Sequence, residues 1–206
     1  GCTVAELPFV SKLEKLPEWC FTTRLNFSVV GPANKWGFGN GCEGDVQFFA
    51  SPVTERLLFP NELTRPDLAG FLDPVHLLGT SIKFYSSVLS MEKTDEDISS
   101  TNHHMWCLTK QGEVNPKTTE SQQNLQKALS TVQGCLRIHV MLPHGHGTPK
   151  SCVSGEDVLI FINKDNYNLL FSDPAAADLI QRILCFFTEL SQNKRSNQQK
   201  KRNKAN

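Results

Sequence analysis

The sequence has no CxxC pair, no HExxH, no GK[ST] following a glycine-rich stretch, and no apolar run long enough to cross a bilayer. Each absence removes a class. The seven cysteines, Cys2, Cys20, Cys42, Cys107, Cys135, Cys152 and Cys185, are odd in number and scattered. That pattern argues against a disulfide framework and for free thiols used as small buried hydrophobes in a reducing compartment. No charged-then-apolar leader opens the chain, so a signal peptide is not expected. Gly1 stands where a start methionine would, which points to a piece of a longer protein. The triplet Asn26-Phe27-Ser28 matches a glycosylation acceptor, but it falls in a strand-like run rather than a surface loop.

Net charge is also missing. Lys and Arg number 21, as do Asp and Glu, so the chain as a whole has no field that would attract polyanions. The balance hides an asymmetry, because six basic residues and no acid lie in residues 194–206, leaving 15 basic against 21 acidic residues before them.

What is present is a chain of 206 residues, enough for a real core. Its second half is the more legible. Leu125, Ala128, Leu129 and Val132 recur at helical spacing within 118–132, with Gly134 as the stop. Leu136, Ile138, Val140 and Leu142 then alternate with Arg137, His139 and Met141, the period of a strand. Residues 158–162 (VLIFI) read as an inner strand covered on both faces, paired in a hairpin with Leu169 to Phe171. Asp173-Pro174 opens a last helix to about Ser191, with Leu179, Ile180, Ile183, Leu184, Phe187 and Leu190 as its buried stripe.

In the first half, 9–16 reads as a short helix and 19–30 as a strand ended by Gly31-Pro32. Residues 46–50 and 82–89 read as further strands, and 67–72 and 75–78 as helical turns between them. The polar stretches 92–102 and 110–120 read as surface connections around a strand-like piece at 104–108. Together these predict a single α+β domain over residues 1–193. Its sheet is largely antiparallel or mixed with helices packed on it, ending in an amphipathic helix and a disordered basic tail at 194–206.

Two loops invite a chemical reading. In "MLPHGHGTPKSC", His144 and His146, with His139 and Cys152, could supply nitrogen and sulfur to a metal, and His104 with Cys107 has suitable spacing. Neither set has a second half at an interpretable spacing, and no local residue orients a histidine as base for Ser151 or Cys152. A glycine-rich connection explains the loop more simply. "KWGFGNGCEGD" carries Gly37, Gly39, Gly41 and Gly44, but no helix start is evident behind it and Glu43 and Asp45 would repel a phosphate. A connection needing positive backbone dihedrals accounts for these glycines.

The absence of a dense catalytic constellation points to a non-catalytic protein–protein interaction or scaffold domain of an intracellular, nuclear complex. Trp36, Phe38 and Trp106 are the candidate contact residues, since aromatic side chains anchor interfaces. Lys194, Arg195, Lys200, Lys201, Arg202 and Lys204 form a candidate import signal or weak, nonspecific nucleic-acid contact. The expected partners are other protein subunits, with no membrane and no cofactor. Nucleus or cytoplasm is the expected location. The alternative is a small metal-dependent or hydrolytic enzyme built on residues 139–152.

Overall fold

The computed structural model describes residues 1–39, 41–84, 90–109, 111–114, 116, 119–142, 150–170, 174–176, 178–179, 181–183 and 185. Along the chain these form α1 (Trp19–Thr22), β1 (Val29–Pro32), α2 (Gly41–Ala50), β2 (Arg56–Phe59), β3 (Leu68–Asp73) and β4 (His76–Phe84). They continue with α3 (Met91–Ser100), α4 (Thr119–Ala128), β5 (Gly134–Leu142), β6 (Cys152–Ser154) and β7 (Asp157–Ile162). Short 3₁₀ turns link them. The strands make one mixed sheet of seven in the order β1-β2-β3-β4-β5-β7-β6. This is the α+β arrangement predicted from the sequence, with helices packed on a mixed sheet.

Pairing is parallel for β1–β2, β4–β5 and β5–β7 and antiparallel for the rest. Because β3 reverses between β2 and β4, the strands β1, β2, β4, β5 and β7 all run one way. Their carboxyl ends, Pro32, Phe59, Phe84, Leu142 and Ile162, therefore share one edge of the sheet. In sheets of this kind that edge is where ligand crevices form.

Two cores sit on the two faces. On one, Leu57, Leu78, Leu136, Val140, Val158 and Ile160 are covered by the N-terminal segment, including Val4, Val10 and Trp19. On the other, Leu58, Ala69, Phe71, Leu77 and Cys135 pack with Phe48 and Phe49 of α2 and with Leu125 of α4. Central strand β5 is buried on both faces, so Arg137 and His139, which alternate with its aliphatic residues, are enclosed too. The helix expected near 118–132 is α4 with a 3₁₀ extension, and it buries Leu125 and Leu129 as the periodicity required.

Several local expectations are overturned. Residues 19–30 are not one strand. Trp19 begins a single helical turn, its ring stacked on His76 at 4.7 Å and its Nε1 donating to the Glu156 carbonyl at 3.0 Å, and only β1 pairs in the sheet. Asn26 accordingly lies exposed in an irregular stretch. Residues 46–50 belong to α2: Cys42, Asp45, Phe48 and Phe49 are buried at helical spacing, which strand-favouring residue types had masked. Residues 67–78 form the β3–β4 hairpin, because the Asp73 carboxylate accepts from the Val75 and His76 amides at 2.9 Å each and closes the turn.

Residues 92–102 are largely helix α3, capped by Ser90, whose hydroxyl accepts from the Lys93 amide at 3.3 Å. Its buried side chains, Thr94, Asp97 and Ser100, are polar and escape an apolar count. His103–Met105 is a 3₁₀ turn rather than a strand, and residues 9–16 are irregular. Leu169 does not pair with β7: Asn166 accepts from the Asn163 amide at 2.7 Å and donates to the Phe161 carbonyl at 2.9 Å, turning the chain into the 3₁₀ helix Tyr167–Leu170. The hairpin partner of β7 is β6, through Gly155 at φ 60°. After residue 174 the described positions are helical, but Leu179 is 58% exposed and is no part of a buried stripe.

Candidate functional site

The glycine-rich stretch lies at the shared carboxyl edge, between the ends of β1 and β2. After β1 the chain makes a 3₁₀ turn, Ala33–Trp36, passes through Gly37 at φ 81°, and enters α2 at Gly41, φ 62°. A helix does follow the glycines, against the sequence expectation. Gly44 is needed for close approach, since a Cβ there would lie 1.9 Å from the Gly39 carbonyl oxygen. A crevice of about 210 Å³ opens here, walled by Asn34, Gly41, Asp45, Phe59 and Asn61 among others.

Asp45 is buried in its wall, accepting from the Asn61 amide at 2.9 Å and from the Thr64 hydroxyl. Burial pushes its carboxyl above the usual range. The crevice thus offers a carboxylate already engaged by the protein and no cation, a poor cradle for phosphate. Beside this wall Cys42 of α2 directs its Sγ to Asn61 Oδ1 at 3.8 Å, and Cys107, whose amide donates to the Leu63 carbonyl at 3.1 Å, lies in the same buried cluster.

Of the aromatic candidates, Trp36 and Phe38 are half-buried and lean on Phe48, with ring centroids 5.9 and 6.0 Å away. The Arg56 guanidinium sits 5.6 Å from the Trp36 ring. Trp106 is 1% exposed, its Nε1 donating to the Ser100 carbonyl at 3.1 Å, so it is core and presents nothing to a partner.

The proposed metal set does not assemble among the described residues. His139 is fully buried on the helix-covered face, its Nε2 2.8 Å from Thr101 Oγ1 and its ring stacked on Phe161 at 5.2 Å. Burial, aided by Arg137, pushes its imidazole down to about 3, so it is neutral at ordinary pH. Cys152 is exposed on edge strand β6, opposite Leu159 rather than Phe161, the residue opposite His139. His144 and His146 lie outside the described residues, as do all six basic residues of the tail. Among the described residues no group of three or more His, Cys, Asp or Glu could hold a metal ion.

Sequence reasoning missed a second histidine environment. His103, 6% exposed, has both ring nitrogens buried without a partner among the described residues and its ring centroid 3.9 Å from that of His104. Burial, with His104 and Arg137 adding to it, pushes its imidazole down to about 4. The two rings line a cavity of about 280 Å³ with Gln126, Leu129, Ser130 and Val132. No spacing in the sequence pairs these segments.

Sequence reasoning also missed a strip of apolar side chains on the face that the N-terminal segment only partly covers. Val30 stands opposite Leu57 on the parallel neighbour and so shares its face, and Phe59 follows two residues beyond Leu57. Leu58 opposite Ala69 places Phe59 beside half-buried Leu68, and Leu68 is paired with Thr80, two residues before Ile82. Val30, Phe59 and Ile82 are 44, 52 and 43% exposed. β1 is an edge strand whose one pairing partner among the described residues is β2. Among the described residues, too, no helix is long and apolar enough to cross a membrane. Comparison with family models, with curated proteins and with solved structures returns no match for this chain.

Proposed function

We propose that this chain is a non-catalytic protein–protein interaction or scaffold domain of an intracellular, nuclear complex. We assign its contact surface to the strip Val30–Phe59–Ile82 and the adjoining edge of β1. The observation that supports this reading is the coincidence of exposed apolar side chains with a strand edge that no other described residue pairs. An extended segment of another subunit can add main-chain hydrogen bonds to β1 while laying its own apolar side chains over Phe59. Half-exposed Val, Phe and Ile side chains gain most from such cover, at roughly 25 cal/mol per Å² of apolar area removed from water. The contact thus falls to these residues rather than to Trp36, Phe38 and Trp106.

The basic tail supports a nuclear location and a weak, sequence-independent contact with nucleic acid. Truncation after Gln192 is expected to remove both and leave the body folded.

The test of the main reading is recovery of partners from cell extract by the whole chain and by a Val30→Ser, Phe59→Ser, Ile82→Ser variant whose circular dichroism matches the parent. Loss of the recovered subunits with the triple variant, and their retention with Leu179→Ser, supports the assignment. Identical recovery by the triple variant overturns it.

A further inference from the structure

We propose that Cys42 and Cys107 are a thiol pair that closes to a disulfide on reaction with a hydroperoxide, a modification site adjoining the Gly41–Asn61 wall of the crevice beside α2. Sixty-odd residues apart in sequence, the two are brought together by one short turn, the 3₁₀ segment Glu62–Thr64. Cys42 Sγ lies 3.8 Å from Asn61 Oδ1, and the same oxygen accepts from the Leu63 amide at 3.1 Å. The Leu63 carbonyl in turn accepts from the Cys107 amide at 3.1 Å. Cys107 is held there with φ at 60°, a left-handed conformation that a non-glycine residue adopts at a cost. Both thiols are free and buried, at 8 and 1% exposure.

The two sulfurs are not equivalent. Cys42 sits in the first turn of a ten-residue helix, where the dipole favours an anion, next to Gly41 and close to Asn61 on the crevice wall. The neighbouring Cys107 side chain lowers the Cys42 thiol below its ordinary value, while Cys42 and burial raise that of Cys107. Cys42 is therefore the nucleophile and Cys107 the resolving thiol. The other buried thiols lack such a neighbour: burial pushes Cys20 up to about 11 and raises Cys135 as well.

The chemistry balances with hydrogen peroxide as oxidant. The Cys42 thiolate attacks one peroxide oxygen, an S–O bond forms as the O–O bond breaks, and hydroxide leaves and takes up a proton. The Cys107 sulfur then attacks Cys42, the S–S bond forms as the S–O bond breaks, and the hydroxyl leaves as water with the Cys107 proton. Two thiols and one peroxide give one disulfide and two waters.

The test treats the reduced, folded chain with stoichiometric hydrogen peroxide, alkylates the remaining thiols and maps the peptides by mass spectrometry. The expected product is an intramolecular Cys42–Cys107 peptide, two hydrogens lighter than the reduced pair and reversed by dithiothreitol. In Cys107→Ser the expected product is a sulfenic acid on Cys42, trapped by dimedone. The mapping of the unsubstituted chain stands even where a variant fails to fold. Recovery of Cys42 and Cys107 as fully alkylated thiols while exposed Cys2, Cys152 or Cys185 is oxidised would overturn the proposal, as would first oxidation at Cys107.

Discussion

The Arg137 guanidinium donates to the Ile98 carbonyl at 2.7 Å, tying the central strand β5 to the last turn of α3. The same group donates through Nε to Thr101 Oγ1 at 3.1 Å and reaches Asp157 at 3.4 Å. A cation on the carbonyl end of a helix also complements the helix dipole. Arg137→Met keeps much of the volume but leaves three acceptors without their donor, and a loss of about 1.5–3 kcal/mol in urea denaturation is expected. A loss under about 0.5 kcal/mol would show that α3 is held by packing alone.

The enclosed histidines make stability depend on acid. His139 and His103 have imidazoles pushed down to about 3 and about 4 in the folded chain, below the ordinary value near 6.5. The unfolded chain therefore takes up protons that the folded chain refuses, so the stability these residues give is complete above about pH 6.5. It is lost as pH falls from there toward about 4 for His103 and about 3 for His139, at roughly 1 kcal/mol per pH unit for each residue. Denaturant midpoints between pH 7.5 and 4.5 are expected to fall accordingly, with a shallower slope in His139→Gln. A flat profile in the parent would mean that both rings reach water.

Packing on β5 and β7 should dominate the energetics. Leu136 and Ile160 are both fully buried, and Leu136→Ala or Ile160→Ala is expected to cost about 2–5 kcal/mol. Leu179→Ala, at a site 58% exposed, is expected to stay within about 0.5 kcal/mol. Equal effects at the three sites would contradict the placement of the core.

Gly44 reports on the crevice. An added methyl would meet the Gly39 oxygen at 1.9 Å and the Ala33 Cβ at 2.9 Å, so Gly44→Ala must push the 37–39 segment away from α2. A lower melting temperature, from overpacking of about 1–3 kcal/mol, is expected. An unchanged melting temperature would mean that the glycine segment moves freely.

The sequence was most readable where apolar residues set the period. β5 and β7 announced themselves through Leu136 to Leu142 and Val158 to Ile162, and α4 through Leu125 and Leu129. α3 was hidden because its inner face is Thr94, Asp97 and Ser100, satisfied by hydrogen bonds rather than by apolar contact. α2 was hidden because Val46, Phe48 and Phe49 favour strands in isolation, and tertiary packing overrode that preference. The β3–β4 hairpin turned on one carboxylate, Asp73, whose caps on Val75 and His76 carry no periodic signal. At the sites, exposure of Val30, Phe59 and Ile82 depends on how far the N-terminal segment reaches across the sheet, which no local pattern encodes. The meeting of Cys42 with Cys107 likewise depends on the turn at Asn61 to Thr64.

The interaction reading is tested most directly by site-specific photo-crosslinking of the whole chain in cells. A benzophenone side chain would be placed in turn at Val30, Phe59 and Ile82, and at Leu179 as control. The account expects the three strip positions to capture the same other subunit, through one extended segment identified by mass spectrometry, and the control not to. Crosslinks at the strip that fall only within this chain, or capture of that subunit at Leu179 alone, would contradict it.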